Sequence, residues 1–260
     1  MQVLRFASLG SGSRGNAMVV EVRGTRVLLD CGFGPRELST RLARIGLTPD
    51  DLSAILVTHE HSDHSAGVFK CARRHSLEVI LTHGTLAATP RDRGAPPLLR
   101  VIDSHRPFIV GEMEIHPFPV PHDAREPVQF VFSDGRRRLG VLTDTGSITR
   151  HIIEMLGTCD GLVLECNHDP GMLANGSYPH MLKQRIGGRY GHLDNQAAAA
   201  LLGELDQARL QHVIAAHLSE HNNTPQLARA ALAGVLGCSE EWIGVATQAE
   251  GFAWRELNST

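Results

Sequence analysis

Lysine is nearly absent: Lys70 and Lys183 are the only two, and arginine makes up the rest of the 25 basic residues. Against 28 acidic residues they leave a formal charge of −3, so no polybasic field announces nucleic acid or an anionic membrane surface. The arginine bias reads as genome composition more readily than as a set of phosphate contacts. Five cysteines (Cys31, Cys71, Cys159, Cys166, Cys238) form an odd set without C-x-x-C spacing. A disulfide scaffold and a zinc ribbon are therefore not indicated, and a reducing cytosol is. Apolar runs fall short of the roughly 20 residues of a membrane span, and residues 1–6 do not begin a signal peptide. The expectation is a soluble, unprocessed, cytoplasmic protein with no membrane partner.

What is present suffices for a large core. Of 260 residues 42% are apolar and 20% charged, which excludes a disordered or collagenous chain and fits one domain over residues 1–260. Residues 3–9, 17–22 and 26–30 read as strands, the last two joined in a hairpin by Arg23-Gly24-Thr25. Pro35 suits a first helical turn and opens a helix carrying Leu38, Leu42 and Ile45 on one face. A buried strand at 53–58 precedes a helix ending near Arg74, a strand at 78–82 and a Pro- and Arg-rich loop at 89–97. Strands follow at 113–116, 128–133 and 138–143, the last two turning at Asp134-Gly135. Beyond them, helices at 148–156, 178–186, 195–205 and 225–236 alternate with strands at 161–165, 212–216 and 243–246. Hairpins and αβ units in one uninterrupted chain predict an α/β (α+β) fold, a four-layer sandwich of two mixed β-sheets flanked by helices rather than a doubly wound sheet.

Histidine is in excess, at 15 residues, and imidazole is the commonest metal ligand. Directly after the strand at 53–58 stands His59-Glu60-His61-Ser62-Asp63-His64. Two-residue spacing in extended backbone turns His59 and His61 to one side, and the turn that follows can aim Asp63 and His64 at a neighbouring point. Such a density of nitrogen and oxygen donors is a far stronger signal than most short motifs. His122, Asp144 and His217 each follow a predicted strand. A lone histidine there is usually a satisfied structural residue, but ligands of one site must project from one edge of the sheets, and these three share that position.

The set His59, His61, Asp63, His64, His122, Asp144 and His217 resembles the metal signature of the metallo-β-lactamase-fold superfamily, along almost the whole chain. The resemblance implies an αββα sandwich and a cofactor of two divalent metal ions, Zn, Mn or Fe. It assigns His59, His61 and His122 to one ion, Asp63, His64 and His217 to the other, and Asp144 to both. It also implies a hydrolase in which Asp63 and Asp144 serve the reaction as well as the metals. Asp144 stands where the β-lactamases of the superfamily use Cys or no bridge, and Glu is absent where flavodiiron oxidoreductases carry it in place of the second histidine. Antibiotic hydrolysis and redox chemistry are thereby disfavoured.

Three further segments narrow the resemblance: residues 9–16 (Leu-Gly-Ser-Gly-Ser-Arg-Gly-Asn), 164–169 (Leu-Glu-Cys-Asn-His-Asp) and 191–197 (Gly-His-Leu-Asp-Asn-Gln-Ala). With Tyr178-Pro179 and the stretch from His217 to Asn223, they are similar to the YycJ-like (WalJ-like) hydrolases, relatives of ribonuclease Z and ribonuclease J. That branch implies a phosphodiesterase or exonuclease acting on a DNA or RNA end, or on a small phosphodiester. Glu165 would orient His192, which would protonate the leaving oxygen; the plainer alternative is that His192 caps or packs at a helix start. Ser11, Ser13, Asn16, Asn167, Asn195, His221 and Asn223 become candidates for substrate contacts. Asp194 departs from the Ser expected in the branch. Only 73 positions separate Asp144 from His217, too few for a β-CASP domain, and no arm for tRNA is evident. Substrate must then be held by the core and its loops, with Arg125, Arg136, Arg137 and Arg138 as a basic strip. The alternatives are a thiolester or lactone hydrolase resembling glyoxalase II and a non-catalytic metal-binding relative. The stretch after Gly237 is too short for the helical glutathione-binding domain of the former.

Overall fold

A computed structural model describes residues 3–90 and 94–258. Residues 91–93 of the expected loop at 89–97, and Met1 and Gln2 of the N-terminal stretch, lie outside the described residues. Among the described residues, two seven-stranded sheets make up the centre. The first holds β1 (Leu4–Gly10), β2 (Ala17–Val22), β3 (Thr25–Leu29), β4 (Ala54–Leu56), β5 (Glu78–Thr82), β6 (Leu98–Ile102) and β14 (Phe252–Leu257), in the order β14-β1-β2-β3-β4-β5-β6. The second holds β7 (Phe108–Val110), β8 (Met113–Pro119), β9 (Val128–Ser133), β10 (Arg138–Leu142), β11 (Gly161–Glu165), β12 (His212–Ala216) and β13 (Gly244–Val245), in chain order across the sheet. Each sheet is antiparallel on one side and parallel on the other: β3 to β6 run parallel, as do β10 to β13.

Side-chain alternation sets the layers. Phe130 and Phe132 of β9 point into the space between the sheets, where they meet Phe6, Val20, Leu56 and Ile80. Val131, between them in sequence, points the other way. The outer face of the second sheet packs under α5 (Arg150–Leu156), α8 (Asn195–Glu204) and α9 (Pro225–Leu236) through Leu156, Leu202 and Leu232. The outer face of the first packs under α1 (Pro35–Ala43) and α3 (Val68–His75) through Leu38, Leu42 and Phe69. Four layers result, as the alternation of hairpins and αβ units predicts. Smaller helices α2 (Ser62–Ser65), α4 (His83–Ala88), α6 (Pro170–Asn175) and α7 (His180–Ile186) lie among the connections. Among the described residues no helix is long and apolar enough to cross a membrane.

Several local expectations change. The first hairpin turns on two residues, Arg23 and Gly24 at φ 49° and 85°, so Thr25 already belongs to β3. The helix expected to end near Arg74 breaks into α2 and α3 at Ala66-Gly67. A Cβ on Gly67 would stand 1.8 Å from the Phe33 carbonyl oxygen, so only glycine lets the chain pass there. The helix expected from Tyr178 begins at His180. Strands β6, β7 and β14 and helices α4 and α6 carry too weak a pattern to read. β6 and β7 are outer strands, and Leu98 and Ile109 remain 57% and 65% exposed.

Phe130 is fully buried at the centre of the inter-sheet layer, so Phe130→Ala is expected to lower unfolding free energy by about 3–5 kcal/mol. Ile109→Ala on the exposed edge should stay within about 0.5 kcal/mol. Urea unfolding of the two variants checks this; a small loss at Phe130 would mean that the two sheets close over the gap.

Candidate metal centre

The parallel halves of both sheets bring their carboxyl ends to one edge, and the chemistry-bearing residues stand there. Asp30 follows β3, His59 follows β4, His122 follows β8, Asp144 follows β10, Glu165 ends β11 and His217 follows β12. After His59 the chain runs through His61 into the single turn of α2, which carries Asp63 and His64 round to the same point. Asp30, Asp144 and His217 have φ values of 59°, 52° and 55°. Left-handed backbone in a residue other than glycine is held only where surrounding structure imposes it, and it gathers at functional sites.

Hydrogen bonds set the ring orientations. His59 Nδ1 lies 2.9 Å from the Thr58 hydroxyl, His64 Nδ1 2.8 Å from Asp30 Oδ2, His122 Nδ1 3.0 Å from the Gly191 carbonyl and His217 Nδ1 3.3 Å from Glu165 Oε1. With a proton on each Nδ1, the lone pair sits on Nε2 and faces the common centre. His61 is reversed: its Nε2 donates to the Asp123 carbonyl at 3.2 Å, which leaves Nδ1 facing inward.

Donor separations test whether a cation fits. Ligand bonds of roughly 2.0–2.2 Å place tetrahedral donors about 3.3 to 3.6 Å apart. His61 Nδ1 and His122 Nε2 are 3.3 Å apart, His64 Nε2 and Asp63 Oδ2 3.4 Å, and His217 Nε2 is 3.5 Å from both Asp63 Oδ2 and Asp144 Oδ1. The other Asp144 oxygen, Oδ2, lies 3.2 Å from His64 Nε2, and Oδ1 lies 3.9 Å from His122 Nε2. His59, His61 and His122 form one donor group, and Asp63, His64 and His217 another. His59 Nε2, Asp144 Oδ2 and His217 Nε2 are buried without a hydrogen-bond partner among the described residues. Orphaned donor atoms aimed at one point, at these separations, fit divalent cations.

Electrostatics point the same way. Burial opposes a charge on His217, but Asp144, Asp63 and Glu165 outweigh it and raise the imidazole to about 10. His64 is raised well above its ordinary value against the same burial penalty, by Asp144, Asp63 and Asp30. Burial and the neighbouring imidazoles hold His59 well below its usual value and His122 below it. Carboxylates on one side thus call for positive charge, which a proton or a metal can supply, while His59 and His122 stay neutral with their lone pairs available.

Beside this cluster lies His192, its ring stacked on His217 at 5.3 Å and its Nδ1 2.8 Å from Glu165 Oε1. Glu165 is fully buried, and its Oε2 accepts from the Thr145 and Leu193 backbone at 3.0 and 3.1 Å. Burial disfavours the imidazolium of His192, yet Glu165 and then Asp144 raise its pKa above the ordinary value. The helix start that follows is capped by Asp194, whose carboxylate accepts from Gln196 and Ala197. Asp serves that role as well as Ser, and His192 is not the cap.

A cavity of about 360 Å³ opens over the cluster, lined by Ser13, Asp63, Asp144, Asn167 and His192 among others. Of the residues expected at substrate, Ser13 and Asn167 reach it. The others do not line it. Ser11 accepts from the His217 backbone at 2.9 Å, and Asn16 donates to the Gly12 carbonyl and stands 3.1 Å from His64 Nε2, so both adjoin members of the donor groups. Asn195 and Asn223 pair with each other in the interior, with Asn223 also holding the Cys166 carbonyl, because a buried amide must find partners. His221 is exposed outside the cavity against the edge of Tyr178. The basic strip is divided: Arg125 adjoins Glu60 near the cluster, whereas Arg137 and Arg138 bind Asp160 at the far end of β10. Sequence reading missed Asp30, Thr58, Asp123 and the Gly191 carbonyl. Asp30 alone carried a signal, its place one residue past a strand.

Because Asp30 orients His64, Asp30→Ala is expected to weaken zinc binding about 10- to 100-fold, measured by competition with a chromophoric chelator. Unchanged affinity would mean that the Thr58 hydroxyl, 3.5 Å from His64 Nδ1, orients the ring alone.

Comparison with known proteins agrees with this geometry. The Beta-lactamase superfamily domain matches residues 25–217. Exodeoxyribonuclease WalJ of Streptococcus pneumoniae is 32% identical over 249 residues, 93% of this chain and 91% of its own. Exodeoxyribonuclease YycJ of Bacillus anthracis is 34% identical over 250 residues, 93% of this chain and 92% of its own. Among solved structures, the metallo-β-lactamase-fold protein YhfI of Bacillus subtilis superposes with a TM-score of 0.75 at 17% identity, covering 98% of this chain and 99% of that one. Matched almost end to end by two such relatives, the chain belongs to the metallo-β-lactamase-fold superfamily and, within it, to the branch of WalJ and YycJ.

Proposed function

We propose that the protein is a dinuclear metal-dependent phosphodiesterase that removes nucleotides from a nucleic-acid end, with DNA favoured by the names of its two relatives. The observation that carries this reading is the pair of donor groups with Asp144 between them, facing a cavity that His192 also faces. His59, His61 and His122 would hold one ion, Asp63, His64 and His217 the other, and Asp144 would contribute to both. All donors are imidazole nitrogen or carboxylate oxygen, a set that suits Zn, Mn or Fe. Five unpaired thiols, four of them buried, support a reducing cytosol as the compartment.

Divalent cations bound at these positions would supply a water of lowered pKa and offset charge developing on the phosphoryl oxygens. The chain's own groups do the rest. Asp63 faces the cavity and accepts a hydrogen bond from the attacking water. His192 carries a proton on Nε2, directed to the cavity, and delivers it to the leaving sugar oxygen, while Glu165 fixes the ring through Nδ1 and stabilises its cation. Such an acid matters because an alkoxide leaves poorly without a proton.

A metal-reconstituted panel of nucleic-acid ends, bis-p-nitrophenyl phosphate and a thiolester tests the reading; turnover of the thiolester alone overturns it. Asp144→Ala should lose metal and activity together, and a variant keeping both ions at full turnover would remove the bridge. His192→Ala should retain both ions and lose about 10²- to 10⁴-fold in rate on nucleic acid. That deficit should shrink on the p-nitrophenyl ester, whose phenolate needs no proton, and Glu165→Gln should follow the same pattern more mildly. Equal losses on both substrates would make His192 a positioning residue.

A further inference from the structure

Between Asp169 and Asp194 the chain runs 24 residues without an acidic side chain, although its net charge is −3. That stretch carries Lys183, Arg185 and Arg189, and it holds both tyrosines of the protein, Tyr178 and Tyr190. It forms one wall of the cavity, through Tyr178, Leu182, Arg185 and Ile186. Helix α7 within it buries none of its residues, and Met181 and Tyr190 are 75% and 63% exposed.

The wall is nonetheless fastened by its backbone. Asp123 N donates to Tyr190 O at 3.0 Å, Ser147 Oγ to Arg189 O at 2.7 Å, and the Gly191 carbonyl is the partner of His122 Nδ1. Gly146 lies so close beneath that a Cβ there would meet Gly191 N at 2.4 Å. Lys183 Nζ donates to Ala174 O, keeping its other protons free, and Arg185 pairs with Asp123 while its side chain stays 64% exposed. Tyr178 is steadied by the His221 ring, 5.9 Å away edge-on. A fixed backbone that presents aromatic rings and cations outward, beside a phosphodiester site, has the composition of a single-strand binding groove, in which bases stack on aromatic faces and cations track the phosphates.

We propose that this acid-free segment is the docking wall for a single-stranded nucleic-acid end. Bases stack on Tyr178 in the cavity and on Tyr190 at its rim, and backbone phosphates meet Lys183, Arg185 and Arg189. The proposal rests on the nucleic-acid reading of the metal centre and adds to it the residues that hold the strand.

Fluorescence anisotropy of the full chain with a labelled oligothymidine carrying cleavage-resistant phosphorothioate linkages tests it. Tyr190→Ala should weaken binding about 5- to 100-fold, and Tyr190→Phe, which keeps the ring, should stay within about twofold. On an oligomer whose terminal residues are abasic, Tyr190→Ala should cause no further loss, since the stacking partner is already gone. Replacing Lys183 and Arg189 with Gln should reduce the slope of log affinity against log salt by about 0.7 for each phosphate that is no longer neutralised. Binding by Tyr190→Ala equal to that of the parent, or equal losses on base-bearing and abasic oligomers, overturns the wall while leaving the metal centre's substrate intact. A change in sedimentation of the Tyr190→Ala variant overturns it in favour of an interface between copies. A parent chain that binds no oligonucleotide removes the nucleic-acid reading itself.

Discussion

Asp144 is 2% exposed, and its carboxylate stands among four imidazoles. Oδ2 lies 3.2 Å from His64 Nε2, while Oδ1 lies 3.5 Å from His217 Nε2, 3.6 Å from His192 Nδ1 and 3.9 Å from His122 Nε2. A carboxylate that deep is far too costly to keep unless positive charge or donors surround it. Burial pushes the Asp144 carboxyl toward its neutral form, and His217, His64 and His59 reverse that, holding it well below the usual carboxylate range. The backbone at Asp144 is left-handed, at φ 52°, a strained conformation for a residue other than glycine. That strain persists because the strands on either side are hydrogen-bonded in place.

Everything around Asp144 supports its neighbours in turn. Asp30 holds His64 and also accepts from the Thr58 backbone and hydroxyl, so one carboxylate from β3 fixes the loop after β4. Ser11 holds the backbone of His217, and Asn167 its carbonyl, from the ends of β1 and β11. These partners come from both sheets, whose shared layer is packed with large side chains such as Phe6, Phe130 and Phe132. If the sheets slid, the two donor groups would separate.

The division of charge within the cluster has a chemical consequence. Burial lowers the pKa of His59 and His122 and favours their neutral forms, whereas His192 is biased toward its protonated form by Glu165 and is left open to the cavity. Two imidazoles 5.3 Å apart, His122 and His192, therefore have opposite protonation preferences: burial lowers the pKa of His122, whereas the Glu165 carboxylate beside His192 outweighs the same penalty there. The wall that carries Gly191 joins both, since its backbone anchors His122 and leads directly to His192.

The clustering of donors from His59 to His64 was legible because its spacing is local: in extended chain, His59 and His61 share a side whatever the fold, and a turn must follow them. The two-sheet sandwich was legible for the same reason, since alternation with period two and the αβ rhythm survive in linear order. His122, Asp144 and His217 could be read as ligands only through their common place past strand ends and the resemblance they complete. Asp30 and the Gly191 carbonyl escaped, because an outer partner is chosen by which strands lie side by side. The inward-facing asparagines misled for the opposite reason: Asn195 and Asn223 sit in segments that lead to the site, yet they turn to each other. By itself the chain determined the donor types, their local spacing and the layering of the fold. Only the tertiary structure decided which nitrogen of each ring faces the centre and which polar side chains reach the cavity, because a hydrogen-bond partner hundreds of positions away in the sequence, such as Ser11 for His217, exists only once the sheets have paired.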